Sequence, residues 1–143
     1  MDFLFTLKFL KIAAASIVIF ILLDFLWLAV VASKLYSSSL GFLANLDSKG
    51  KVIFNIPVGV FVQATLSLGL SFVIGTALQL DNRLIVSLFT GAFIGFVIYG
   101  VYDFTNLSFV KGWPLWISLV DVAWGTLQGL LAGVYFYYFN KLF

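Results

Sequence analysis

The chain has 143 residues, of which 63% are hydrophobic and 10% are charged, and its mean hydropathy is +1.14. A chain with so few polar groups cannot cover the surface of a soluble domain. The composition therefore indicates a protein that is surrounded by lipid. The net charge of +2 is too small to indicate a nucleic-acid partner. Neither cysteine nor histidine occurs, which argues against disulfides, thiolate chemistry, haem ligation and ordinary zinc sites.

Four apolar segments follow one another along the chain, and each exceeds the roughly 20 residues that span about 30 Å of hydrocarbon. They cover about residues 12–33, 53–80, 84–107 and 115–139. In lipid each helix satisfies its own backbone hydrogen bonds, so runs of β-branched residues do not predict strands here. The sequence therefore predicts an all-α fold: one integral membrane domain over residues 1–143, built as a bundle of four transmembrane helices.

The charged residues give little information on orientation. Four basic residues lie on each side of the predicted bundle, so the positive-inside rule gives no decision. Lys8 and Lys11, beside the first segment, favour a cytoplasmic location for both termini, which an even number of spans puts on one side. Dual topology with antiparallel dimers stays open as the alternative. A loop of about 18 residues, from 34 to 51, is predicted after the first segment.

Small residues recur every four positions in three of the segments, and such stripes let helix backbones approach closely. They are Ser67, Ser71 and Gly75 in the second, Gly91 and Gly95 in the third, and Gly125, Gly129 and Gly133 in the fourth. The stripes predict packing seams inside one bundle. A homodimer interface through Gly125, Gly129 and Gly133 is the alternative interpretation.

Three aspartates lie inside the apolar segments: Asp24, Asp103 and Asp121. A charged group at such depth costs about 2.5 to 3.5 kcal/mol on insertion scales, so each carboxylate needs a partner, a proton or water. With a rise of about 1.5 Å per residue, all three lie in the half of the membrane nearer the turn that carries Lys111, provided the termini share one side. Three carboxylates in one layer predict one shared site.

Polar and aromatic residues share helix faces with these acids, because side chains three, four and seven positions apart lie together. The pattern Asp-x-x-Trp occurs twice, in the first and the fourth segments. The predicted polar cavity is lined by Asp24, Trp27, Asn55, Gln63, Tyr99, Asp103, Asn106, Lys111, Asp121, Trp124 and Gln128. The alternative is that the acids serve as hydrogen-bond glue between helices, with Asp103 bonded to Tyr99 or Asn106 and Asp121 to Lys111.

The leading functional hypothesis is a small membrane transporter, or a ligand-binding membrane protein, whose cavity takes a cation, a proton or a small polar molecule. The second hypothesis is an intramembrane lipid-modifying enzyme that uses two aspartates as an acid and a base. The third is a structural partner that assembles with another membrane protein through its glycine seams. No catalytic signature is present, which favours a protein that is not an enzyme. No dedicated cofactor is expected, although Mg²⁺ or Ca²⁺ held by aspartates stays open.

A distinctive series of residues lies between positions 102 and 125. It reads Tyr102-Asp103-Phe104-Thr105-Asn106-Leu107, then Lys111-Gly112-Trp113-Pro114-Leu115, then Asp121-x-x-Trp124-Gly125. The series resembles that of a bacterial family of small four-helix membrane proteins catalogued as a domain of unknown function, and the pair Asp24-x-x-Trp27 resembles its first-helix pattern. The resemblance implies the fold and a bacterial inner (plasma) membrane. It implies no activity.

Overall fold

The computed structural model describes residues 2–143, and it is helical along most of that length. The α-helices are α1 (Leu7–Leu26), α2 (Ser33–Leu40), α3 (Ile56–Leu80), α4 (Leu84–Phe109) and α5 (Leu115–Leu142). A π-helical segment, Trp27–Ala32, joins α1 to α2, so the first span is continuous over Leu7–Leu40. Within the described range there is one isolated β-bridge, Leu46–Val52, and no strand. Four helices are long and apolar enough to cross a membrane, which confirms the all-α four-helix bundle.

The first span is longer than the sequence pattern indicated. Thr6 caps its start by accepting a hydrogen bond from the backbone N–H of Phe9 at 3.1 Å. Its end is at Gly41, whose φ of 51° is in the left-handed region that favours glycine. Residues 34–40 therefore belong to the helix and not to the predicted loop, because neither glycine nor proline interrupts the chain before Gly41. As a consequence, Tyr36 lies on a helix.

The second span begins three residues later than predicted. The side chain of Asn55 accepts a hydrogen bond from the backbone N–H of Val58 at 3.3 Å, so Asn55 is the N-cap of α3. Pro57 lies in the first turn, where its missing N–H leaves no intrahelical bond unmade. Asn55, predicted for the polar cavity, therefore lies at the start of the helix and not within it.

α4 and α5 pack backbone to backbone along their glycines. A Cβ added at Gly91 would overlap the carbonyl of Gly129, and one added at Gly129 would overlap that of Gly91. Gly95 faces the carbonyl of Gly125 in the same way. The stripe is thus a seam inside one chain, as small residues permit. A homodimer interface through Gly125, Gly129 and Gly133 would form only if α4 moved away from this face of α5.

The bundle has two chemically different halves. One half of the bundle contains the start of α1 and the end of α5, and it is the terminal half. Here Lys8 Nζ donates a hydrogen bond to the backbone carbonyl of Asn140 at 2.6 Å. Its hydrophobic core is built mainly from Leu4, Phe9, Ile12, Ala13, Phe20, Leu70, Ile74, Leu78, Ala132 and Phe136. The opposite end, toward the connection between α2 and α3, is the polar half. The three intramembrane aspartates lie there.

Candidate functional site

Asp24 joins three of the four spans. Gln63 Nε2 of α3 donates to Asp24 Oδ2 at 2.5 Å, and Trp124 Nε1 of α5 donates to Asp24 Oδ1 at 3.2 Å. The indole of Trp27 stacks on that of Trp124, with centroids 4.4 Å apart and planes 5° from parallel. The two Asp-x-x-Trp patterns of the sequence therefore meet face to face around one carboxylate, which is 5% exposed.

Asp121 binds a partner that sequence reasoning missed. The hydroxyl of Tyr36 donates to Asp121 Oδ1, linking the end of the first span to α5. Tyr36 also lies beside the indole of Trp27. The expected bond from Lys111 is wrong, because Lys111 is exposed in the turn after α4. Over residues 2–143 the one salt bridge joins Arg83 to Asp81, outside the spans.

Asp103 is the exception among the three acids. Its side chain has no exposed surface, and neither carboxyl oxygen has a hydrogen-bond partner among the described residues. Trp113 and Ser118 are its polar neighbours, but Trp113 Nε1 donates to Ser118 Oγ at 3.1 Å. That donor is directed at the serine instead of the carboxylate. Asp103 is thus a buried acid that the surrounding protein does not satisfy.

The predicted bonds from Tyr99 or Asn106 to Asp103 are also wrong. The hydroxyl of Tyr99 instead reaches α5 and donates to Gln128 Oε1 at 3.0 Å, and Gln128 Nε2 donates to the carbonyl of Phe20 at 3.3 Å. Tyr99 is an electrostatic neighbour of all three aspartates. Asn106 contributes its backbone carbonyl to the end of α4.

Two cavities reach this cluster. The first, of about 190 Å³, lies between the first span and α3, and Asp24 and Gln63 form its polar wall within a mainly apolar lining. Leu28 and Ala29 of the π-helical segment also line it, and such segments are frequent at functional sites. The second cavity, of about 300 Å³, contains Asp121 together with its partner tyrosine. Asp24 and Asp121 therefore border space that a ligand or water can enter, whereas Asp103 lines neither of these two cavities.

The three carboxyl groups of the cluster influence one another electrostatically. No group of three or more acidic side chains in residues 2–143 is arranged to hold a metal ion together. Asp121 nevertheless lies within electrostatic range of both Asp24 and Asp103. Like charges disfavour one another in a medium of low dielectric constant, so the charge state of one carboxylate influences the others.

Most of the residues predicted for the cavity lie in or beside this network. Brought together are Asp24, Trp27, Gln63, Tyr99, Asp103, Asp121, Trp124 and Gln128, while Asn55 lines the first cavity. Asn106 and Lys111 stay outside the network. Sequence reasoning missed Tyr36 and Ser118, and it also missed the position of Trp113 beside Asp103. The missing helix breaker before Gly41 is the sequence signal for Tyr36.

The chain belongs to the family described as "Predicted membrane protein (DUF2177)", whose model matches residues 9–138. The match agrees with the resemblance seen in the sequence, and it covers all four spans. No curated protein and no solved structure matches the chain. The family is one of unknown function, so membership supplies the membrane location and leaves the activity to be argued from the site.

Proposed function

We propose that the protein is a small transporter that binds a proton or another small cation at Asp24, Asp103 and Asp121 and releases it across the membrane. The supporting observation is a set of buried carboxyl groups without basic partners. No Lys or Arg in residues 2–143 forms an ion pair with any of the three acids, and both oxygens of buried Asp103 lack a partner. A buried carboxylate of this kind is costly unless a proton or cation neutralises it.

Hydrogen-bond glue explains only part of the cluster. Asp24 and Asp121 each accept a hydrogen bond from another span, which is what a structural role requires. Asp103 accepts none, although a carboxyl group that held helices together in hydrocarbon would be expected to accept a hydrogen bond from a neighbouring span. A ligand or ion is therefore a better explanation of Asp103 than packing.

The second cavity supports a route to the cluster from one side of the membrane. It is lined by Tyr36 and Asp121 within the bundle and by Ala44 and Val52 of the connection between α2 and α3. We infer a bacterial inner membrane with both termini in the cytoplasm, supported by Lys8 and the family resemblance. In that orientation the cavity faces away from the cytoplasm.

Flux measurements in proteoliposomes test the proposal. Purified protein is reconstituted with a pH-sensitive dye inside the vesicles, and a membrane potential drives cation entry. Parallel vesicles carry dyes for Na⁺ and K⁺. The variants are Asp103→Asn and Asp121→Asn, and the matched control is Asp81→Asn, which removes an aspartate outside the spans.

We expect cation entry to be faster than in protein-free vesicles, to fall to background in both intramembrane variants, and to be unchanged in Asp81→Asn. Neither carboxyl oxygen of Asp103 has a hydrogen-bond partner among residues 2–143, so we expect Asp103→Asn to fold normally. Thermal melting in detergent distinguishes a loss of flux from unfolding. Normal flux in both intramembrane variants would overturn the proposal.

A further inference from the structure

Buried polar atoms without partners continue beyond the aspartates into the apolar half of the bundle. Ser67 of α3 is 1% exposed, and its hydroxyl has no hydrogen-bond partner among residues 2–143. The same is true of the hydroxyl of Tyr135 on α5 and of Oε1 of Gln63. Such groups are rare in proteins, since nearly all buried polar atoms bind a protein group or an ordered water.

Three polar side chains form a row along α3. Gln63, Ser67 and Ser71 are spaced four residues apart on α3, so they share its inner face, and both serines are almost completely buried. The hydroxyl of Tyr135 lies next to that of Ser67 without a direct hydrogen bond. A polar gap of this kind is typically bridged by water, which needs two to four polar partners. Ser67 and Tyr135 supply two.

The row starts at the aspartate cluster. Gln63 Nε2 donates a hydrogen bond to Asp24, and Oε1 of the same amide, which lies near the side chain of Tyr99, has no hydrogen-bond partner. Ser67 is one helical turn further into the terminal half, and Ser71 is one turn beyond it. On the facing helix α1, Ser16 is also buried with no partner. Polar groups therefore extend from Asp24 toward the end where the termini lie.

We propose that this row, consisting of Gln63, Ser67, Ser71 and Tyr135 with bridging water, conducts protons between Asp24 and the terminal half of the bundle. The inference rests on the proposed function and identifies the transported cation as a proton. Each transfer between the hydroxyls of Ser67, Ser71 and Tyr135 and the bridging water breaks one O–H bond and forms another, so these groups return to their starting composition after a proton has passed. Gln63 has no O–H bond, so its amide orients the water beside Asp24 and does not itself carry the proton. No oxidant, reductant or other reactant is needed.

The surroundings of the row select against larger cations. The hydrophobic core beside it contains Phe20, Leu70, Ile74 and Phe136, each at most 3% exposed. Close-packed apolar side chains leave few voids larger than a water molecule, so a hydrated Na⁺ or K⁺ has no passage. A proton passes along hydrogen-bonded hydroxyls and water without such a space.

The test uses Ser67→Ala and Tyr135→Phe, which delete one hydroxyl each. Thr65→Ala is the matched control on α3, because the Thr65 hydroxyl bonds the carbonyl of Phe61 in its own helix and is exposed. Tyr138→Phe is the control on α5, because Tyr138 is 56% exposed. All four proteins are reconstituted in the vesicles with the pH-sensitive dye. Circular dichroism and thermal melting in detergent verify the fold.

We expect each row variant to reduce proton flux by about tenfold or more, since a positioned proton-transferring group contributes factors of about 10² or greater. The two controls should match the unaltered protein, and Na⁺ or K⁺ flux should stay at background. If Ser67→Ala melts at a lower temperature than the unaltered protein, proton flux in Tyr135→Phe tests the row instead, because that variant preserves the aromatic ring.

The outcomes separate this inference from the proposed function. Unchanged proton flux in both folded row variants, with flux abolished in Asp103→Asn, would overturn the row and leave the transporter standing. Passage of Na⁺ or K⁺ through the protein would also overturn it, because the ion would not be a proton. Normal flux in Asp103→Asn and Asp121→Asn would instead reject the proposed function itself.

Discussion

α4 and α5 meet backbone to backbone along their glycines, whereas the first span and α3 meet in the polar half through long side chains around a cavity. In the first pair, Gly91 and Gly129 leave no room for a single added carbon. In the second pair, one hydrogen bond from Gln63 to Asp24 joins the two helices beside a cavity of about 190 Å³.

The difference assigns different physical roles to the two pairs. Backbone contact in lipid is stabilised by dispersion and allows no small adjustment, so the α4–α5 pair is the rigid part of the bundle. Side-chain contact around a cavity tolerates rotamer changes, and a transporter needs an element that changes. The polar half between the first span and α3 is the part of the bundle where such change has room.

The largest expected effect comes from filling the seam. Gly129→Ala places a methyl group on the backbone of Gly91, and we expect it to lower the free energy of unfolding by about 3 kcal/mol or more because neither backbone can retreat. Gly69→Ala is the control, since a Cβ there meets nothing. Chemical denaturation in detergent measures both. Equal stability of the two variants would show that α4 and α5 are not in backbone contact.

A smaller effect is expected at the hydrogen bond between Tyr36 and Asp121. Tyr36→Phe removes the hydrogen bond to Asp121, and we expect a loss of about 2 kcal/mol, typical of a bond to a charged group. Tyr138→Phe should change nothing, because that tyrosine is exposed. Denaturation midpoints compare the two. If Tyr36→Phe were as stable as the unaltered protein, the residues after Ser33 would not be packed on α5.

The indole stack offers a pairwise measurement. Trp27→Leu, Trp124→Leu and the double variant form a thermodynamic cycle, for which we expect a coupling of about 1 kcal/mol, as for other stacked aromatic pairs. The cycle cancels the loss of the hydrogen bond from Trp124 to Asp24, because Trp124→Leu and the double variant lose it equally. A coupling of zero would mean that the two rings do not touch in lipid.

The smallest effect belongs to the turn between α3 and α4. Hydrogen bonds from the Arg83 guanidinium hold the pKa of Asp81 below its usual value of 3.8. A lowered folded-state pKa stabilises the protein above the unfolded-state value, and that contribution is lost as pH falls through the folded-state pKa. Arg83→Gln should raise the pKa of Asp81, as followed by NMR titration, while leaving the melting temperature at neutral pH nearly unchanged. An unaltered pKa would contradict the pairing.

The four spans could be predicted from the sequence because the cost of burying a backbone in lipid leaves few alternatives to helices. Depth could be predicted as well, since a count along each helix placed Asp24, Asp103 and Asp121 in one half. The end of the first span could not, because Lys34 and three serines suggested a loop while the helix terminator is Gly41.

Hydrogen-bond partners were much harder to predict than depth. Spacing along one helix indicates which residues share a face, but it says nothing about the facing helix. Tyr99 was expected to bond Asp103 one turn away and instead bonds Gln128 of α5. Tyr36 and Asp121 are separated by 85 positions, so only the packed bundle brings them together.

The most direct test of the central claim, an aspartate cluster reached by water inside the membrane, uses the absence of cysteine from the chain. Asp121→Cys places a thiol in the second cavity, and Ala123→Cys places one on the exposed lipid-facing side of the same helix. The thiolate, which forms only where water is present, is the nucleophile that attacks a hydrophilic thiol reagent. Faster labelling of Asp121→Cys in lipid vesicles is the predicted result, and labelling of Ala123→Cys at an equal or higher rate would contradict the account.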